Sequence, residues 1–276
     1  MNKILYAFAL AGVLGLSSCS DFLDQNSPSE MTAENTYASP YYTNLRVNKL
    51  YGGMAQDRTY AQDLSIVWNL NSDCELIDGL GSNATNTSSE RGNMNYNMDP
   101  GWSKISGVWD AEYGIIEDAN QIIEGIRSSA TLTAGGANQK SMERSLGEAL
   151  TIRAMVYFDL VRIFGDIPFK VEASKSDLSN AYLEKTDRDV IMDFLMNDLD
   201  EAIEYLPWAD QATGYTTERT TKGYAHALLA QIAMTRAATP SVRSQRTDMR
   251  QHLTAMLLIQ HSALVQQTAR LSTSVP

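Results

Sequence analysis

Residues 145–170 read SLGEALTIRAMVYFDLVRIFGDIPFK, and how that stretch runs and stops decides the fold. Leu146, Ala149, Leu150, Arg153, Tyr157, Val161 and Phe164 recur at three- and four-residue steps, so they share one face of an α-helix. Gly165 suits the position just past a helix end, Asp166 favours a turn, and Pro168 cannot continue a helical ladder. The helix is therefore expected to end at Phe164, in a fixed corner. Arg153 is the odd residue on the apolar stripe. A guanidinium there is expected as a buried structural cation, satisfied by a carboxylate or by carbonyls.

The flanking sequence repeats the theme. Ile105, Trp109, Ile116, Ala119, Ile123 and Ile126 predict a helix over 103–127, and a glycine-bearing loop over 131–138 turns the chain into the helix at 145–164. Two long helices joined by a polar loop make an antiparallel hairpin. A second pair follows. Thr186 and Asp189 are expected to cap a helix carrying Val190, Ile191, Phe194, Leu195, Leu199, Ala202, Ile203 and Leu206, which ends at Pro207. From about Thr220 a small-residue helix carries Tyr224, Ala227, Leu228, Gln231, Ile232 and Ala233. A large-residue helix followed by an alanine-rich one is how tetratricopeptide-like units stack, here at an irregular spacing. The fold class is all-α: irregular tetratricopeptide-like helical hairpins with long loops.

The remaining mature sequence is less regular. A weaker helical pattern runs over 41–54 through Leu45, Leu50 and Tyr51. Residues 71–101 are rich in Gly, Asn, Ser and Thr and read as a long loop, a kind of segment that is usually functional when it interrupts a compact domain. Residues 237–276 contain no aromatic and no glycine, and Arg243, Arg246, Arg250 and Arg270 face Asp248 alone, so this tail reads as foreign to the fold, an out-of-frame extension being one origin.

Composition bounds the function. A net charge of −11 argues against nucleic acid or an anionic membrane surface as partner. Lys3 followed by thirteen uncharged residues, 4–16, is a secretory leader too short to span a bilayer. Leu16-Ser17-Ser18-Cys19 resembles a bacterial lipobox, so residues 1–18 read as a lipoprotein signal peptide and Cys19 as the lipidated first residue of the mature chain, held to the membrane by its acyl chains. Cys74 is then the sole remaining cysteine and no histidine precedes His226, which leaves neither a disulfide, nor an activated thiol, nor a zinc-type site. No metal or cofactor is implied.

Arg153-Ala154, Tyr157-Phe158-Asp159-Leu160, Val161-Arg162 and Gly165-Asp166-Ile167-Pro168 together resemble the signature helix of SusD-like (RagB/SusD) lipoproteins, nutrient binders of Gram-negative outer membranes. The spacing of Trp102, Trp109, Tyr113 and Asn120 is similar to that family's pattern as well, and Arg219-Thr220-Thr221-Lys222 resembles its second signature. The resemblance runs over residues 16–236. It implies a tether over 19–40, a helical-repeat region over 41–236, and the N-terminal portion of a truncated SusD-like fold, since known members continue with a loop-rich part that helps form the ligand site. It also implies a lipid-anchored protein on the cell surface of the outer membrane that binds a glycan or oligosaccharide and passes it to a SusC-like TonB-dependent transporter.

Sugars are held by aromatic rings against their apolar faces and by planar hydrogen-bonding side chains. Tyr96 and Trp68, with Asn83, Arg91 and Asn95, are the candidates, although Trp68 and Trp102 each sit at the edge of an apolar segment and read first as core, and Tyr96 reads as either. The acidic pairs Glu117-Asp118 and Asp198, Asp200 and Glu201 lie on amphipathic helices and read as solvated faces rather than a glycosidase pair. With no nucleophile elbow, phosphate loop or dinucleotide motif, binding is expected and catalysis is not. The competing reading is a lipid-anchored helical-repeat scaffold that binds another protein. Radiolabelled palmitate is expected to mark the chain in a Gram-negative host and to vanish in Cys19→Ala while export continues; label retained in that variant contradicts acylation at Cys19.

Overall fold

A computed structural model describes residues 32–69, 101–211 and 218–238. The leader, Cys19 and the sequence beyond residue 238 lie outside the described residues. The elements are α1 (Ala33–Ala38), α2 (Pro40–Met54), α3 (Asp63–Asn69), α4 (Ser103–Arg127), a 3-10 turn (Ala130–Thr133), α5 (Gly136–Phe164), β1 (Ile167–Pro168), β2 (Lys185–Thr186), α6 (Arg188–Tyr205) and α7 (Lys222–Ala238). The all-α class and the two hairpins, α4 with α5 and α6 with α7, are as expected.

Several boundaries differ, each for a local reason. Helix α5 starts at Gly136 rather than Ser145: the intervening Gln, Lys, Met, Glu and Arg are good helix formers without an apolar stripe, and Gln139 accepts the Gly135 N–H at 2.9 Å. The cap of α6 is Asp187, whose carboxylate accepts from Asp189 N–H at 2.7 Å, while Thr186 is spent in β2. The expected tether contains α1, capped by Thr32, and its Tyr37 is buried in the main core. Gly165 ends α5 as expected, at φ +75°, a conformation that costs glycine little.

The centre of the molecule is α5. Expected to bury one face, it is buried on every side: all residues from 145 to 154 and from 156 to 161 are out of solvent. A helix is apolar all round only when elements cover it all round, and here α2, α4, α6 and α7 do so. The polar residues it carries must then find partners. Arg153, 2% exposed, does so: its Nε and Nη2 donate to the two carboxylate oxygens of Asp198 on α6, both at 2.9 Å, and its Nη1 donates to Asn120 Oδ1 on α4 at 2.8 Å and to the Val171 carbonyl at 3.3 Å. Asp198, read as part of a solvated face, is thus the buried counter-ion, and one guanidinium ties both hairpins and the segment after β1. Glu112 on α4 has no such answer. It is fully buried, and neither carboxylate oxygen has a hydrogen-bond partner among the described residues. Burial, reinforced by the nearby charge of Asp159 and only partly offset by Arg162, pushes its carboxyl up to about 9.

Two outcomes follow from these buried groups. Arg153→Met is expected to cost about 3–5 kcal/mol in urea unfolding, because it strands the Asp198 carboxylate in the core; a loss below about 1 kcal/mol contradicts a structural role for the pair. Glu112 holds its proton more tightly folded than unfolded, so its contribution is fully present below the ordinary carboxylate range and is lost as pH rises toward about 9. Stability is expected to fall from pH 5 to pH 9 by on the order of a few kcal/mol, and Glu112→Gln is expected to flatten that decline. An equally steep decline in Glu112→Gln assigns the effect to another group.

Candidate functional site

Past Arg153, the remaining signature residues build the corner at the end of α5. Tyr157 clamps it, its hydroxyl donating to the Lys170 carbonyl at 2.7 Å and accepting the Lys170 N–H at 2.8 Å. Tyr113 on α4 donates to the Pro168 carbonyl at 2.6 Å, and Asn120 donates to the Lys170 carbonyl at 3.0 Å. Asp166 accepts the Arg188 N–H at 3.1 Å, so the turn residue also satisfies an orphan donor at the start of α6. Asp159, buried, accepts from Tyr60 at 2.5 Å and from Arg162 at 2.6 Å, while the Arg162 guanidinium lies 4.4 Å from the Phe158 ring centre. Rings in tilted or edge contact run from Trp109 and Phe164 through Tyr113, Tyr157 and Phe169 to Phe194, linking the two hairpins across the corner. The signature is a device for fixing where the chain leaves one hairpin and enters the next.

A second tie involves the entry to α7. Glu148, fully buried on α5, accepts from Tyr51 on α2 at 2.7 Å and from Arg219 at 2.9 Å; Thr220 N–H donates to the Tyr51 hydroxyl at 2.9 Å. Arg219 also donates to Asn48 Oδ1 at 2.8 Å. So Arg219-Thr220 joins α7 to α2 and α5.

The residues predicted to touch ligand are distributed differently. Tyr96, Asn83, Arg91 and Asn95 lie outside the described residues, and Trp68 falls on the backbone of α3, with its side chain also outside them. Trp102 is core, 5% exposed, packed with Leu64, Ile105 and Val108. Glu117 is no free acid either: burial raises it, but hydrogen bonds from Ser174, Gln121 and Lys170 outweigh this and bring it down to about 2.

What the sequence did not reveal is a groove of about 1090 Å³ bounded by α1, α2, α4 and the segment at 173–174. Glu34, Arg46, Gln121, Glu124, Ser128 and Thr131 contribute its polar lining. Arg46 Nη2 donates to Gln121 Oε1 at 3.0 Å, and Gln121 donates in turn to Glu117 at 3.0 Å. The Tyr37 ring lies so close over Gly125 that a Cβ there would sit 2.1 Å from it, so only glycine lets α1 dock on α4 at this point. The available signal was the short helical stretch 33–38 behind the Thr32 cap, hidden by its placement in an assumed tether.

Comparison with known proteins places this architecture. The family model described as "Starch-binding associating with outer membrane", SusD-like, matches residues 21–234. SusD-like protein P2 of Formosa agariphila is 29% identical over 238 residues, covering 86% of this chain and 44% of that protein. Among solved structures, a SusD homolog from Bacteroides thetaiotaomicron shares the fold with a TM-score of 0.70 at 23% identity, over 82% of this chain and 42% of that one. A laminarin binding SusD-like protein aligns with a TM-score of 0.56 at 21% identity, over 70% and 40%. The chain thus spans less than half the length of the relatives it matches. The family match runs through the scaffold, the corner and the entry to the last helix, and on that ground the chain belongs to the SusD-like family.

Proposed function

We propose that this chain is the N-terminal portion of a cell-surface lipoprotein that binds an oligosaccharide or similar nutrient and passes it to a SusC-like TonB-dependent transporter in the outer membrane. The observation that carries the reading is the family match over residues 21–234. The arrangement supports it physically. Two hairpins locked by Arg153 and by the corner form a rigid body suited to contact with another protein, and adaptable ligand contacts belong on loops supported by such a body. On this reading the hairpins face the transporter, and the 71–101 segment, with Tyr96, Trp68, Asn83, Arg91 and Asn95, meets the sugar. Among the described residues no helix is long and apolar enough to cross a membrane. The role is binding and transfer, without turnover.

In affinity electrophoresis against a glycan panel that includes laminarin, which one relative's name associates with binding, the chain alone is expected to give weak retardation or none through this segment; with the C-terminal part of a full-length relative restored, Tyr96→Ala is expected to weaken retardation by about 1 kcal/mol, roughly fivefold, at an unchanged melting temperature. Unchanged affinity moves the site away from Tyr96; a collapsed melting temperature makes Tyr96 a core residue. Peptide binding without any glycan binding favours the scaffold reading instead.

A further inference from the structure

We propose that the groove between α1, α2 and α4 is a carbohydrate subsite in its own right, taking a neutral segment of an oligosaccharide. The proposal rests on the glycan-binding reading above and adds to it a site built from described residues, separate in sequence from 71–101. Three features point to this ligand class. The lining offers donors and acceptors together: Arg46 donates, Gln121 donates and accepts, Glu34 and Glu124 are exposed carboxylates whose side chains make no hydrogen bond among the described residues, and Ser128 and Thr131 bring hydroxyls. Two carboxylates and one guanidinium leave the lining about one net negative charge, which disfavours an anion and leaves its amide and hydroxyl groups to meet a polyhydroxylated neutral ligand.

The donors are also held in place before any ligand arrives. Arg46 leans on Gln121, which donates to Glu117. Glu117 is itself fixed by Lys170 at 3.0 Å and by the Ser174 N–H at 2.8 Å. Pre-set polar groups lose little entropy on binding, and the groove's volume is at the upper end of ligand pockets, which suits several sugar rings rather than one. The third feature is an aromatic pair. Tyr41 and Tyr42, 68% and 40% exposed, meet edge to face at 5.4 Å on the first turn of α2, and Tyr42 lies one turn before Arg46 on the same helix face. Neither ring lines the groove itself; Tyr42 stands one turn from Arg46, where a ligand extending past the groove's edge would find the apolar surface that a sugar face requires.

The test is calorimetric titration of the purified mature chain with neutral oligosaccharides of three to six residues prepared from laminarin, starch and cellulose. At least one is expected to bind. The double variant Glu34→Ala/Glu124→Ala is expected to weaken that binding at least tenfold, and Ser128→Trp, which fills the groove, to abolish it. Melting temperature should stay at the wild-type value in the double variant, whose two side chains are exposed. Wild-type affinity in both groove variants, with a loss in Tyr96→Ala, overturns the subsite and leaves the glycan reading standing. No binding of any probe by the unmodified chain overturns the subsite; if binding is also absent once the C-terminal part of a full-length relative is restored, the glycan reading falls with it.

Discussion

One guanidinium inside the helical stack constrains everything around it. Arg153 spends donors on Asp198, Asn120 and the Val171 carbonyl, groups from α6, α4 and the segment after β1. A buried ion pair is weak evidence of net stability, because desolvation of two charges offsets most of their attraction. Its geometric demand is strong all the same. A planar fork that must meet a carboxylate with both arms admits one rotation and one height of α6 against α5. Apolar packing between helices rich in Leu, Ile and Ala tolerates small slips; this contact does not.

The other buried polar groups extend the same principle outward. Tyr157 and Tyr113 fix the chain where it leaves α5, Asp166 hands it to α6, and Glu148 gathers Tyr51 and Arg219 so that α7 enters against α2. Each tie satisfies a backbone or side-chain group that burial would otherwise penalise by about 1–3 kcal/mol. The result is a body whose helices are set relative to one another by hydrogen bonds as well as by packing. Such a body can carry binding groups in fixed positions, as the groove beside Arg46 illustrates. Glu112 is the exception: it remains buried without a partner among the described residues, and its burial is a cost that the surrounding apolar contacts bear.

Much of this was legible in the sequence, because three- and four-residue spacing is a strong signal in long helices. The 103–127 helix, the stop at Gly165 and the buried role of Arg153 all came from spacing and residue chemistry. Asp198 was misread because helical spacing places residues on a face without saying what covers that face. A carboxylate beside Asp200 and Glu201 looks solvated until the facing Arg153 is known. The start of α5 was misplaced because its first turns are amphipathic in neither sense, and α1 was missed because six residues are too few for a periodic signal. The groove escaped for a deeper reason: its residues come from elements far apart in the chain, and no short motif marks a surface that only tertiary packing brings together.

The central claim is that the Arg153 contact makes the two hairpins one cooperative unit. Native-state hydrogen exchange, followed by residue as a function of denaturant, tests it directly. The account predicts that amides of α6 and α7 share the opening free energy of the buried stretch of α5, so that all three are protected up to global unfolding. Exchange of α6 and α7 together at a distinctly lower free energy, with α5 still protected, would contradict it: the second hairpin would then be an independent unit and the guanidinium a local contact.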